Sequence, residues 1–242
     1  ETPPMSQNKK GFTLVELLVV MAIIALLLGL LLPALAKARA TARQVKDATQ
    51  VKQVHTGLLT AANDTQGVYT LPGEINRAAV NGVQIPGRGA IDEAVNQHAN
   101  LWGAMIGRGF INAQILVSPA ESDGKVVVCS TYNMGNIKPD QDIYWDNTTT
   151  GFRADLATQC NTSYATMPLD ASGRRRAQWR NTGDSRFAIL GNRGVKDGAI
   201  TGNDYKNSKT LEIHGGKGEW DGNTAYNDNH VDYGRTFYPE SV

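Results

Sequence analysis

Side chains able to offer oxygen crowd the C-terminal run HGGKGEWDGNTAYNDNHVDYGR, residues 214–235. Asp221, Asn223, Asp228 and Asp232 supply carboxylate and amide oxygens of the kind Ca2+ takes, although their spacing reproduces no EF-hand loop. A plain hairpin is the alternative: Asp228 and Asn229 suit a tight turn, since Asn tolerates left-handed backbone angles. His214 with Asp228 and His230 invites a metal or acid–base reading. The four histidines, His55, His98, His214 and His230, are otherwise scattered, and no HExxH, paired CxxC, GxSxG or GxxxxGKS occurs. The expectation is therefore a protein that is not an enzyme, with no certain cofactor beyond the candidate Ca2+.

Two cysteines, Cys129 and Cys160, lie in polar sequence. In an exported domain they would close a disulfide loop of about 32 residues, worth roughly 3 to 4 kcal/mol in the chain-entropy account. Two unrelated buried thiols are the alternative. A single acid, Glu16, stands directly before residues 17–32, which are apolar apart from Gly29. An ionised group at bilayer depth costs about 2.5 to 3.5 kcal/mol, so a cation is expected to answer Glu16. The plainer reading puts its carboxylate among lipid headgroups, near the positive end of a helix dipole.

These residues need elements to position them. Residues 17–36 carry no charge, and a helix of that length covers about 30 Å, the thickness of a hydrocarbon core. A span over about residues 14–36 follows, softened around Gly29 and Pro33. A cleavable secretory signal competes with it, because Lys9 and Lys10 make a basic start and Ala34-Leu35-Ala36 a small-x-small site. A plain signal anchor and a buried core helix are further alternatives. Lys9 and Lys10 precede the span and Lys37, Arg39, Arg43 and Lys46 follow it, so counting basic residues does not orient it.

Beyond the span, Ala38, Ala42, Val45, Ala48, Val51, Val54, Leu58 and Ala62 recur every three or four residues. One helix over residues 12–63 is expected, stopped by Asn63, Asp64 and Gly67. The head, residues 64–242, carries candidate strands at 126–129, 187–190, 209–214, 224–226 and 230–233, and a second helix at 90–107. Residues 133–186 read as a surface excursion tied down by the cysteine pair. The fold expected is α+β, a long N-terminal helix packed on a small antiparallel sheet. Formal charge over the 242 residues is +1, so no nucleic-acid partner is expected. The run Arg174-Arg175-Arg176 reads as a solvated loop, with DNA capture as its functional alternative.

The stretch Lys9-Lys10-Gly11-Phe12-Thr13-Leu14-Val15-Glu16, continuing as LLVVMAIIALLL, resembles the class III signal of type IV pilins and type II secretion pseudopilins. The resemblance implies a leader of residues 1–11, cut by a prepilin peptidase after Gly11, and N-methylation of the new terminus at Phe12. If Met5 is the start, the leader is MSQNKKG, and residues 1–4 are an added remnant or mark an upstream start. Glu16 would then face the amine created on Phe12, of its own chain or of a neighbouring subunit during assembly. Pro33 falls where many pilins carry a helix-breaking proline. The implied partners are the peptidase, other pilin or pseudopilin subunits, an inner-membrane assembly platform and the membrane itself. The implied location is a single pass of the inner membrane with the head periplasmic or extracellular. Residues 214–235 resemble the H-X9-DG processing-associated signature of prepilin-like proteins with two departures: thirteen residues separate His214 from Asp228, and Asn229 stands where glycine is expected. The function implied is a structural subunit of a pseudopilus or a pilus-like filament. A membrane-anchored periplasmic binding module and a pilus subunit for adhesion or DNA uptake are the alternatives.

Overall fold

In the computed structural model the described residues are 11–75, 92–141, 143–169, 177–214 and 218–235. The chain divides into two compact units, residues 1–42 and 43–242. Helix α1, Leu14–Asn63, runs through 50 residues. Every described residue up to Ala42 is exposed, and the helix is long and apolar enough to cross a membrane. Its assignment is unbroken at Gly29 and Pro33, so the softening expected there does not end the helix. The reason is economical: Pro33 removes one donor, whose acceptor four residues earlier is the carbonyl of Gly29, and the remaining ladder is intact. The helix stops where its stop signals stand. Gln66 and Gly67 take left-handed φ of 54° and 84°, and Gly67 N donates to Ala62 O at 2.8 Å.

In the second unit α1 buries Asp47, Val51, Val54, His55, Gly57, Leu58, Ala61 and Ala62. The buried face differs from the expected stripe at its start, because Val45 is 61% exposed while Asp47 is inside. Two residues turn a helix by about 200°, so the two positions cannot share a face. Gly57 is a close approach: a Cβ there would lie 2.5 Å from Ile111 Cγ2 and 3.1 Å from the Phe110 carbonyl oxygen.

The remaining elements follow in chain order as α2, Pro72–Ile75, α3, His98–Gly107, the hairpin strands β1, Ala154–Asp155, and β2, Gln159–Cys160, then β3, Tyr164–Thr166, β4, Ala188–Asn192, a short helix α4, Gly202–Lys206, and finally β5, Gly222–Tyr226, and β6, Val231–Gly234. Strands β3-β4-β5-β6 form one antiparallel sheet in that order. Leu101, Trp102 and Met105 of α3 join Val51, Val54, Leu58, Tyr69, Tyr164, Trp179, Ile189 and Ala225 in one core. The fold is the α+β class expected, a long apolar N-terminal helix with small antiparallel sheets.

Several local expectations are corrected. Residues 126–129 contribute a single bridge, Val126 to Cys160, rather than a strand. Residues 209–214 are not a strand either. Lys209–Glu212 is a 3-10 helix in which the Lys209 Nζ and Glu212 carboxylate, one short turn apart, meet at 3.1 Å, an i,i+3 pairing that a strand places on opposite faces. The second helix is shorter than expected, beginning at His98 after a 3-10 turn at Glu93–Val95; residues 90 and 91 lie outside the described residues. Residues 133–186 are no mere surface excursion, because Trp145, Phe152, Tyr164, Leu169 and Trp179 within them are buried. Asn and Thr content marked a loop, whereas the aromatics carry the burial. Arg174, Arg175 and Arg176 lie outside the described residues.

Candidate functional site

At the N-terminal end Gly11, Phe12 and Thr13 precede the helix, and Phe12 is 82% exposed. Thr13 and Glu16 close on each other: Glu16 Oε2 accepts from Thr13 N at 2.8 Å and from Thr13 Oγ1 at 2.7 Å. Glu16 N donates in return to Thr13 Oγ1 at 3.3 Å. This is a capping box, which satisfies two helix-terminal donors reciprocally and sets the start of α1 at Leu14. Among the described residues the acid is thus answered by Thr13 rather than by a cation. The Gly11–Phe12 peptide stands just outside the first turn, and both residues are exposed. The T-x-x-E spacing was legible in the sequence, yet Glu16 was read there for its membrane cost, the helix dipole and the Phe12 amine rather than for a cap.

Cys129 and Cys160 are both buried and both free, which corrects the disulfide. Each thiol turns to a different backbone carbonyl, Cys129 Sγ to Gly151 O at 3.9 Å and Cys160 Sγ to Thr162 O at 3.2 Å. Burial pushes the Cys160 thiol up from its ordinary value.

The four candidate calcium ligands do not converge. Alternation along the hairpin sends Asn223 toward α1 and Asp232 to the opposite face of the sheet, since Asn223 pairs across with Tyr233 and Asp232 with Thr224. Asn223 Nδ2 donates to Asp47 Oδ2 at 2.6 Å, and Asp221 Oδ2 accepts from Tyr233 Oη at 2.5 Å. Asp228 and Asp232 flank His230, the first bonded to its Nδ1 and the second 3.4 Å from Nε2. Among the described residues no group of three or more His, Cys, Asp or Glu side chains is placed to hold a metal ion. The hairpin reading of the turn matches the geometry: Asn229 takes φ of 67°, and Tyr226 N donates to His230 O at 3.0 Å.

The densest chemistry lies where residues 43–63 of α1 meet the sheet, and it joins Asp47, which the sequence reading did not single out, to His214 and Asn223, which it assigned other partners. Asp47 is 0% exposed. Its Oδ1 accepts from Tyr164 Oη at 2.9 Å, and its Oδ2 lies 3.1 Å from His214 Nε2. The other ring nitrogen, His214 Nδ1, lies 3.3 Å from the Asp221 carbonyl oxygen and 3.6 Å from its Oδ1. Both nitrogens thus face acceptors, which an imidazolium satisfies and a neutral ring does not. Burial pulls the His214 pKa down, but hydrogen bonds to Asp221 and Asp47 and the charge of Asp47 outweigh it and raise it to about 9. Burial pushes Asp47 the other way, upward, yet donors led by His214 hold it below the usual carboxylate range.

Two turns further along the helix, His55 Nδ1 lies 2.9 Å from Asn229 Oδ1 and Nε2 lies 3.1 Å from Tyr69 Oη. Tyr69 Oη donates onward to Asn227 Oδ1 at 2.7 Å, and burial lowers the His55 pKa. The signal that could have exposed Asp47 was its place in the series 47, 51, 54, 58, where a polar residue on an apolar face demands partners.

Residues 6–32 match the profile described as the prokaryotic N-terminal methylation motif. The chain therefore carries a type IV pilin-like class III signal at its N-terminal end. Chains so marked are processed by prepilin peptidase and assemble with other subunits of the pilin type. No curated protein and no solved structure matches the chain.

Proposed function

We propose that this chain is a structural subunit of a type II secretion pseudopilus or type IV pilus-like filament. It is held in the inner membrane by a single pass of about residues 14–36, cut after Gly11, N-methylated at Phe12, and assembled on an inner-membrane platform through α1. The observation that carries the reading is the junction at residues 11–16: a methylation motif whose Gly11–Phe12 peptide lies outside the helix and whose Thr13–Glu16 capping box starts the helix at Leu14. The exposed first half of α1 supports it, because an apolar surface that large needs lipid or neighbouring helices around it.

Glu16 has two duties in this reading. Oε2 is engaged by Thr13, while Oε1 takes no hydrogen bond among the described residues. Cleavage creates an amine on Phe12, one helical turn away, whose charge Oε1 is free to meet in its own chain or in the next subunit. Mass spectrometry of the native protein tests the proposal. A first residue of N-methylated Phe12 is expected, and a mature chain starting at Lys37 would overturn it in favour of a secretory signal.

A further inference from the structure

The filament reading leaves the C-terminal signature unexplained, with a histidine whose side chain is buried and an asparagine where glycine is expected. Asp47 and His55 are eight residues apart, so they lie about 12 Å apart along α1 and both are buried. Each takes a side chain from the C-terminal segment: Asp47 takes His214, and His55 takes Asn229. Asn229 Nδ2 also reaches Thr56 Oγ1 at 3.3 Å, a contact no glycine side chain can make.

We propose that His214 and Asn229 are two anchors that fix the axial register of the four-stranded sheet on α1, with Asp47 and His55 as their seats. Apolar packing alone leaves such a register weakly defined, because a slip of one helical turn still presents Val, Leu and Ala to the sheet. The anchors remove that freedom. A one-turn slip puts Arg43 or Val51 where Asp47 stands, and Val51 or Leu59 where His55 stands. Asp47 would then be a desolvated carboxylate with no cation, an arrangement far costlier than a shifted methyl contact. Among the described residues, the charged and titratable groups around the first anchor are Asp47 from α1, Tyr164 from β3, Asp221 before β5 and Tyr233 from β6, with Arg235 acting on Asp221. The departure from the glycine pattern gains a reason as well. Asn229 keeps the left-handed turn that glycine would make and adds the second anchor.

The test uses the full chain in detergent micelles and follows hydrogen exchange of the β5 and β6 amides. Asp47→Asn and His214→Gln are each expected to speed that exchange about tenfold or more, with the double variant no faster than the faster single one, because the two groups act as a unit. Effects that multiply in the double variant would overturn the first anchor. If either variant does not fold, the unaltered chain decides through the 15N signals of His214 at pH 7: two protonated ring nitrogens are expected, and a neutral ring overturns the pairing. Asn229→Gly is expected to speed exchange at the turn a few-fold while leaving the His214 signals in place. Unchanged exchange in that variant would remove the second anchor.

Discussion

Residues 14–42 and 43–63 belong to one helix and answer to different surroundings. In the first stretch apolar side chains point to every side and all are exposed; in the second a single face is buried, and that face includes Asp47 and His55 along with Val51, Val54, Leu58, Ala61 and Ala62. A helix apolar all round finds its stability in a medium or in neighbours, whereas a one-faced helix finds it in one partner. Polarity follows the same division. The first stretch holds its acid at the very start, where a cap answers it, and the second buries its acid mid-helix, where residues more than a hundred positions away, Tyr164, His214 and Asn223, answer it.

The contrast breaks most visibly in the core. Leu58→Ala is expected to cost about 2 to 5 kcal/mol by transfer and cavity terms, read as a fall in the thermal midpoint of the head, while Leu27→Ala leaves that midpoint where it is. Equal effects would mean that the exposed stretch packs on the head after all.

Acidity sharpens the comparison at the next level. The His214 pKa of about 9 stands above its ordinary value of 6.5, so the protonated ring stabilises the fold. That contribution is complete below about pH 6.5 and is lost as pH rises through 9, on the order of 3 kcal/mol across the interval. Denaturant titrations of the head at pH 6 and pH 10 should show the loss, and His214→Gln should flatten it. Asp47 works at the other end: its lowered value means a contribution held above the ordinary carboxylate range and lost as pH falls below it.

The smallest effect belongs to the cap. Thr13→Ala is expected to cost about 0.5 to 2 kcal/mol of local helix stability, seen as faster exchange of the first-turn amides with the head midpoint unmoved. Glu16→Ala removes both the cap and the carboxylate offered to Phe12, so incorporation into filaments should fall more than in Thr13→Ala. Equal incorporation in the two variants would reduce Glu16 to its capping role.

Legibility in the sequence follows the range of the interactions. The long apolar helix, its stop at Asn63 and the left-handed turn at Asn229 were readable because each is decided within a few neighbouring residues. The same holds for the methylation motif. Lys209–Glu212 misled because four residues with two buried ones suit a short strand as well as a 3-10 turn. The bond between Asp47 and His214 was beyond reach, because its partners are separated by 167 positions and only the folded chain sets them side by side. The candidate ion site failed for a related reason: closeness in sequence put Asn223 and Asp232 in one cluster, and the pleat of the sheet then parted them.

That separation also sets a timetable. Ribosomes add about 5 to 20 residues each second, so the 167 positions between Asp47 and His214 amount to roughly 8 to 33 s of synthesis. For that interval the carboxylate must stay in water, and the sheet that will cover it does not yet exist. The second half of α1 therefore leaves the ribosome behind a segment long and apolar enough to cross a membrane, and the full set of partners for Asp47 exists only once residues 214–223 have been added.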